Sequence, residues 1–110
     1  MNSGKHFILD CKNISSEVCK DDKFILETLR EAANRNGCNV INSARYRFGH
    51  NSPEGCTVFV MLDESHISAH TYADDGSMAI DIFTCGDNAR PEKILKDIKE
   101  KLKLRDVTVR

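Results

Sequence analysis

Four short segments crowd the middle of the chain, and their spacing limits the fold more than any other feature. Asn39 to Phe48, Cys56 to Leu62, His66 to Tyr72 and Met78 to Phe83 are each rich in β-branched or aromatic residues and bounded by Gly, Asp, Asn or Pro. The gaps between them are of hairpin length, which predicts neighbouring antiparallel strands. His6 to Asp10 reads as an earlier strand and Val107 to Val109 as a last short one. Two helices flank the group. Between Asp22 and about Asn36, the residues Ile25, Leu29, Ala32 and Ala33 recur at helical spacing, with Asp21 or Asp22 to cap the start and Gly37 to end it. Pro91 suits the first turn of a second helix, whose stripe is Ile94, Ile98 and Leu102. Strands clustered between helices predict an α+β fold, a two-layer sandwich with an antiparallel sheet and the helices on one face. The other face must then be wet or buried against a second subunit.

At 110 residues the chain is one domain's worth of protein, residues 1–110 without an internal linker. A domain this small buries a limited core, so a homo-oligomer that covers one more apolar face is expected. The net charge of -1 sets up no field for nucleic acid or anionic lipid. The one basic stretch, Lys93 to Lys103, is interleaved with Asp97 and Glu100 and reads as a solvated helix face. No apolar run approaches the roughly 20 residues of a membrane span, and no secretory leader is visible, so a cytoplasmic protein is expected. Five cysteines without a C-x-x-C pair argue against a disulfide framework. They and the four histidines never fall at metal-ligand spacing, so no metal is expected.

Strand parity marks a candidate site. Period two puts His66, Ser68, His70 and Tyr72 on one side of their strand and Ile67, Ala69 and Thr71 on the other. If the helices cover the Ile67 side, the open side carries two imidazoles, a hydroxyl and a phenol in a row. On the next strand Asp81 and Phe83 share a face, and Cys85 follows just past its end.

The turn before this strand reads Glu64-Ser65. A serine at a strained turn can attack the preceding peptide carbonyl and exchange the amide for an ester. That exchange needs strain, a base and oxyanion stabilisation, because a relaxed planar amide resists it. β-Elimination of the ester leaves a dehydroalanine, which hydrolyses to a pyruvoyl group. His70 is a candidate base, since imidazole titrates near neutral pH. Its parity is opposite to that of Ser65, so a twist or bulge is expected to bring the two together.

Spacing alone does not carry that chemistry; the motifs do. The run Glu64-Ser-His-Ile-Ser-Ala-His-Thr71, followed by Asp81-Ile-Phe-Thr-Cys-Gly-Asp87, closely resembles the two linked motifs of the bacterial and archaeal S-adenosylmethionine decarboxylase proenzymes. Looser similarity covers nearly the whole chain, including Arg47-Phe48 and Ser52-Pro-x-Gly55. The resemblance implies cleavage between Glu64 and Ser65, giving a β chain of residues 1–64 and an α chain that begins with a pyruvoyl group made from Ser65. That covalent cofactor would hold the small-molecule substrate as a Schiff base and act as an electron sink for decarboxylation. His70 would serve in processing, Thr57 would be its supporting hydroxyl, and Cys85 would donate the proton that replaces the lost carboxyl. The product would be the aminopropyl donor for polyamine synthesis, spermidine in particular. The family's protomers pair with their sites at the dimer interface, so a homodimer is implied.

Two departures lie where the family shapes its substrate pocket. Tyr72-Ala73-Asp74 replaces the usual Trp-Pro-Glu, and Gly49-His50-Asn51 intervenes between Phe48 and Ser52. Phe48, Tyr72 and Asp74 are therefore the candidate substrate-binding residues, with arginine or ornithine as alternative substrates for the same pyruvoyl chemistry. A non-processing subunit that binds or regulates an active partner is the reading from another class. The presence of Ser65, His70 and Cys85 argues against it.

Overall fold

A computed structural model describes residues 4–86 and 88–110. In chain order the elements are β1 (Lys5–Lys12), α1 (Ser16–Cys19), α2 (Asp22–Arg35), β2 (Val40–Phe48), β3 (Gly55–Leu62), β4 (His66–Tyr72), β5 (Ser77–Thr84), α3 (Pro91–Leu102) and β6 (Asp106–Val109). The strands form one six-stranded sheet in the order β2-β3-β4-β5-β1-β6, with every neighbouring pair antiparallel. The four middle strands are a simple meander, as their short gaps require. The first strand does not extend that meander at its β2 edge; it inserts between β5 and β6.

Local chemistry sets the helix ends. The Asp21 side chain accepts from the Phe24 N–H at 3.1 Å, which satisfies one of the orphan donors at the start of α2. Pro91 occupies the first turn of α3, where its missing N–H costs nothing. The four-residue α1 has too little periodicity to be seen in the sequence, and it is held by the Ser15 hydroxyl accepting from Val18 N–H at 3.2 Å. Asn36 joins α2 to α3: its side-chain amide donates to Ala32 O and to Asp97 Oδ2, both at 2.8 Å.

One face of the sheet is covered by α2 and α3, as the apolar spacing predicts. Leu9, Val58, Val60, Ile67, Ile80 and Ile82 meet Ile25, Leu29, Ile94 and Ile98 in a core from which water is excluded. Each such side chain contributes about 1.5–3 kcal/mol relative to an exposed one. The opposite face is open. Register lays its side chains in rows: Met61, His66, Phe83 and His6 in one, Phe59, Ser68, Asp81 and Ile8 in the next, and Tyr46, Thr57, His70, Ala79 and Asp10 in the third. Ile8, Tyr46, Phe59, Met61 and Tyr72 on this face are all exposed.

Candidate active site

The turn between β3 and β4 is a two-residue hairpin loop. Leu62 N–H donates to Ser65 O at 2.9 Å, which leaves Asp63 and Glu64 as the loop. The loop is pinned from the side by the turn after α2. Asp63 N–H donates to Asn39 O at 3.3 Å, and the Asn39 amide donates to Asp63 Oδ2 at 3.2 Å. Neither Asp63, Glu64 nor Ser65 has a positive φ, so the expected strain is not stored as a left-handed backbone here.

Ser65 is half-buried and lines a cavity of about 380 Å³. Three segments build its walls: Gly37 to Asn39, Leu62 to Ser65, and Cys85, Gly86, Asn88 and Ala89. Gly37 has a positive φ of 83°, and a Cβ there would stand 1.8 Å from Asn88 O, so only glycine permits this approach of the first wall to the third. The Glu64 carboxylate extends over Gly86, with Oε2 3.8 Å from where a Cβ on that glycine would stand. Twenty residues apart in sequence, Ser65 and Cys85 thus share one cavity. Asp87, the last residue of the second motif, lies outside the described residues.

His70 is not in this cavity. β3 and β4 pair without a register shift from Met61–His66 to Thr57–His70, so no bulge turns the strand. Five steps of extended chain run from Ser65 to His70, about 16 Å. The expected convergence of these two within one chain is therefore corrected: a regular ladder keeps them apart. His70 instead meets Thr57, whose Oγ1 lies 3.1 Å from Nδ1. The same end of the sheet carries Phe48 and Tyr72, with ring centroids 6.3 Å apart. Gly55 makes room for that pair, since a Cβ there would come within 2.6 Å of the Phe48 ring. Asp74 is exposed in the turn that follows Tyr72.

The two rows nearest Ser65 hold a cluster that strand parity only half revealed. Asp81 Oδ1 is 2.6 Å from His6 Nε2 and 3.4 Å from His66 Nε2. His66 stacks on Phe59 with centroids 5.7 Å apart and an interplanar angle of 19°. His66 and Asp81 were legible as open-face residues, whereas His6 enters because β1 pairs with β5, which no local pattern states. The cavity-lining residues Cys38 and Asn39 also gave no sequence signal.

Comparison with known proteins gives concordant likenesses. Residues 5–110 match the family model described as S-adenosylmethionine decarboxylase. The S-adenosylmethionine decarboxylase proenzyme of Synechococcus sp. (strain WH7803) is 39% identical over 100 residues, which are 91% of this chain and 76% of that protein. The protein of the same name from Pyrococcus horikoshii is 39% identical over 100 residues, 91% of this chain and 70% of its own length. The crystal structure of the adenosylmethionine decarboxylase from Aquifex aeolicus superposes with a TM-score of 0.82 at 26% identity, covering 99% of this chain and 88% of that one.

Proposed function

The chain belongs to the S-adenosylmethionine decarboxylase family, whose members are pyruvoyl-dependent decarboxylases, and on that premise we propose that it is a precursor that cleaves itself between Glu64 and Ser65. The products are a fragment of residues 1–64 and one of residues 65–110. The observation that carries this reading is the shared cavity of Ser65 and Cys85.

The residues present fit a pyruvoyl group at position 65. Ser65 immediately precedes β4, the bond before it lies in an accessible hairpin loop, and the adjoining cavity of about 380 Å³ is within the roughly 300–1,000 Å³ of small-molecule sites. Processing uses the chain's own groups. The Ser65 hydroxyl loses its proton to a base as its oxygen attacks the Glu64 carbonyl carbon, and the ester replaces the amide. Removal of the Ser65 Cα proton then breaks the Cβ–Oγ bond, which releases Glu64 as a carboxylate. Water converts the resulting dehydroalanine to the ketone with loss of ammonia. With Nδ1 of His70 engaged by Thr57, Nε2 is the ring nitrogen left for such a transfer.

The separation of His70 from Ser65 gives the assembly a role. The open sheet face exposes Ile8, Tyr46, Phe59, Met61 and Tyr72, a surface suited to a second copy. In a homodimer joined through this face, the Thr57–His70 end of one protomer serves the Ser65–Cys85 cavity of its partner. Phe48, Tyr72 and Asp74 then line the substrate side of the partner's site.

Once formed at position 65, a pyruvoyl group would supply a ketone for the substrate's amine and an adjoining carbonyl as an electron sink for decarboxylation. Cys85 delivers a proton to the carbon that has lost its carboxyl. Tyr72 offers a ring face to a planar or cationic substrate group, and Asp74 offers a negative charge. S-adenosylmethionine, which carries both an adenine and a sulfonium, suits this pair, and its decarboxylated product is an aminopropyl donor for polyamine synthesis.

Two measurements test the reading. The mass spectrum of the purified protein should show two fragments split at Glu64-Ser65, with the 65–110 fragment refractory to N-terminal sequencing, and Ser65→Ala should stay whole. Carbon dioxide release should be seen with carboxyl-labelled S-adenosylmethionine and not with labelled arginine or ornithine. Release from either amino acid instead would overturn the substrate assignment and leave the cleavage chemistry standing.

A further inference from the structure

The five cysteines divide by environment. Cys11, Cys19 and Cys56 are buried in the core, while Cys38 and Cys85 are only half-buried. Those two line the same cavity, Cys38 from the turn after α2 and Cys85 from the end of β5. Their segments are tied together nearby: Arg90 N–H donates to Asn36 O at 3.0 Å, and Gly37 packs on the Asn88 carbonyl. Both residues thus open onto one cavity, and a disulfide between them requires their Cα atoms to come within about 7 Å. Burial pushes the Cys38 thiol up, against the opposing pull of the Arg90 guanidinium.

We propose that Cys38 and Cys85 are an oxidative modification site, a thiol pair that closes to a disulfide across the active-site cavity. The oxidant is a peroxide. Hydrogen peroxide oxidises one thiol to a sulfenic acid and leaves one water. The sulfur of the second thiol attacks the first, the new S–S bond displaces hydroxide, and the thiol proton completes a second water. Two thiols have then lost two hydrogens and one peroxide has been reduced to two waters. The disulfide occupies the cavity beside Ser65 and withholds the Cys85 proton, and a dithiol reductant reverses it.

The proposal rests on the cleavage reading for its clearest assay. Cys38 lies in the 1–64 fragment, and Cys85 is the only cysteine of the 65–110 fragment. The disulfide therefore joins two otherwise separate chains. The processed protein is treated with hydrogen peroxide and run under denaturing conditions with and without dithiothreitol. We expect two fragments with the reductant and, without it, one species whose mass is their sum less two hydrogens. Decarboxylation should be lost with the linkage and recovered with dithiothreitol, and Cys38→Ala should give neither the linked species nor the recovery. Two fragments that never link, or a linked species that persists in Cys38→Ala, would overturn the thiol pair and leave the cleavage reading intact. A single uncut chain in every lane would fail the cleavage reading instead. Peptide mapping of that chain for a Cys38–Cys85 linked peptide then decides the pair on its own.

Discussion

Thr57 and His70 face each other across the β3–β4 ladder, with Thr57 Oγ1 3.1 Å from His70 Nδ1, while Ser65 lies just before the first residue of β4, at the other end from that pair. A straight strand cannot bring a base to a hydroxyl about 16 Å away, so His70 and Ser65 of one chain do not meet, and the proposed processing role of His70 calls for a second protomer.

Complementation reads this directly. Ser65→Ala and His70→Ala chains are each expected to remain uncut when expressed alone. Expressed together, the His70→Ala chain should be cleaved, because its Ser65 meets the His70 of a Ser65→Ala partner. A mass spectrum with both chains whole would mean that His70 does not work across the dimer.

Cys85→Ser separates turnover from processing. Cleavage at Glu64-Ser65 should proceed, since the thiol is not asked to act in it. Decarboxylation should fall by roughly 10²–10⁴-fold, the usual range for removing a general acid. Single-turnover carbon dioxide release against fragment formation checks both parts, and unchanged turnover would move the proton donor elsewhere.

Gly37→Ala tests how the cavity is walled. The position combines a φ of 83° with a Cβ site 1.8 Å from Asn88 O, so the substitution must displace the Asn88 segment. A loss of about 1–3 kcal/mol in denaturant unfolding is expected from the backbone strain. Processing should slow as well, because the same displacement opens the wall beside Ser65.

The Asp22–Arg45 pair sets a pH dependence of stability. Arg45 Nη1 lies 2.6 Å from Asp22 Oδ2, and this contact holds the Asp22 carboxyl below its ordinary value. A lowered folded value means that the stabilisation is present above about pH 4, the unfolded value, and disappears as pH falls through the folded one. Arg45→Ala should therefore be less stable than the parent at pH 7, by no more than about 1 kcal/mol for so exposed a partner. The difference should vanish in acid. A gap that persists at pH 2 would assign the effect to lost packing of the Arg45 stem on β2.

Much of the sheet was legible because its signals are local. Alternation along His66 to Tyr72 placed Ile67, Ala69 and Thr71 in the core and His66, Ser68, His70 and Tyr72 on the open face, and the fold keeps that division. Short gaps forced β2 through β5 into a meander, and Asp21 and Pro91 marked the starts of α2 and α3. The short α1 was missed because four residues carry no helical period. The place of β1 was missed for a different reason. Its own residues say that it is a strand, but its position between β5 and β6 depends on which strand edges are left to satisfy its backbone hydrogen bonds.

Residue identity and local period already name the chemistry available: a serine behind a glutamate in a hairpin loop, an open-face imidazole at position 70, and a thiol just past the end of β5. These follow from residue identity, a period of two and the length of a turn. Which of them meet depends on long-range packing. Packing of the turn after α2 against the loop after β5 brought Cys38 to the cavity of Ser65 and Cys85, and an unbroken β3–β4 ladder held His70 away from it. The reason is the range of the forces involved. Alternation is fixed between adjacent residues, whereas a cavity is made by segments whose only link is that the core must close over them.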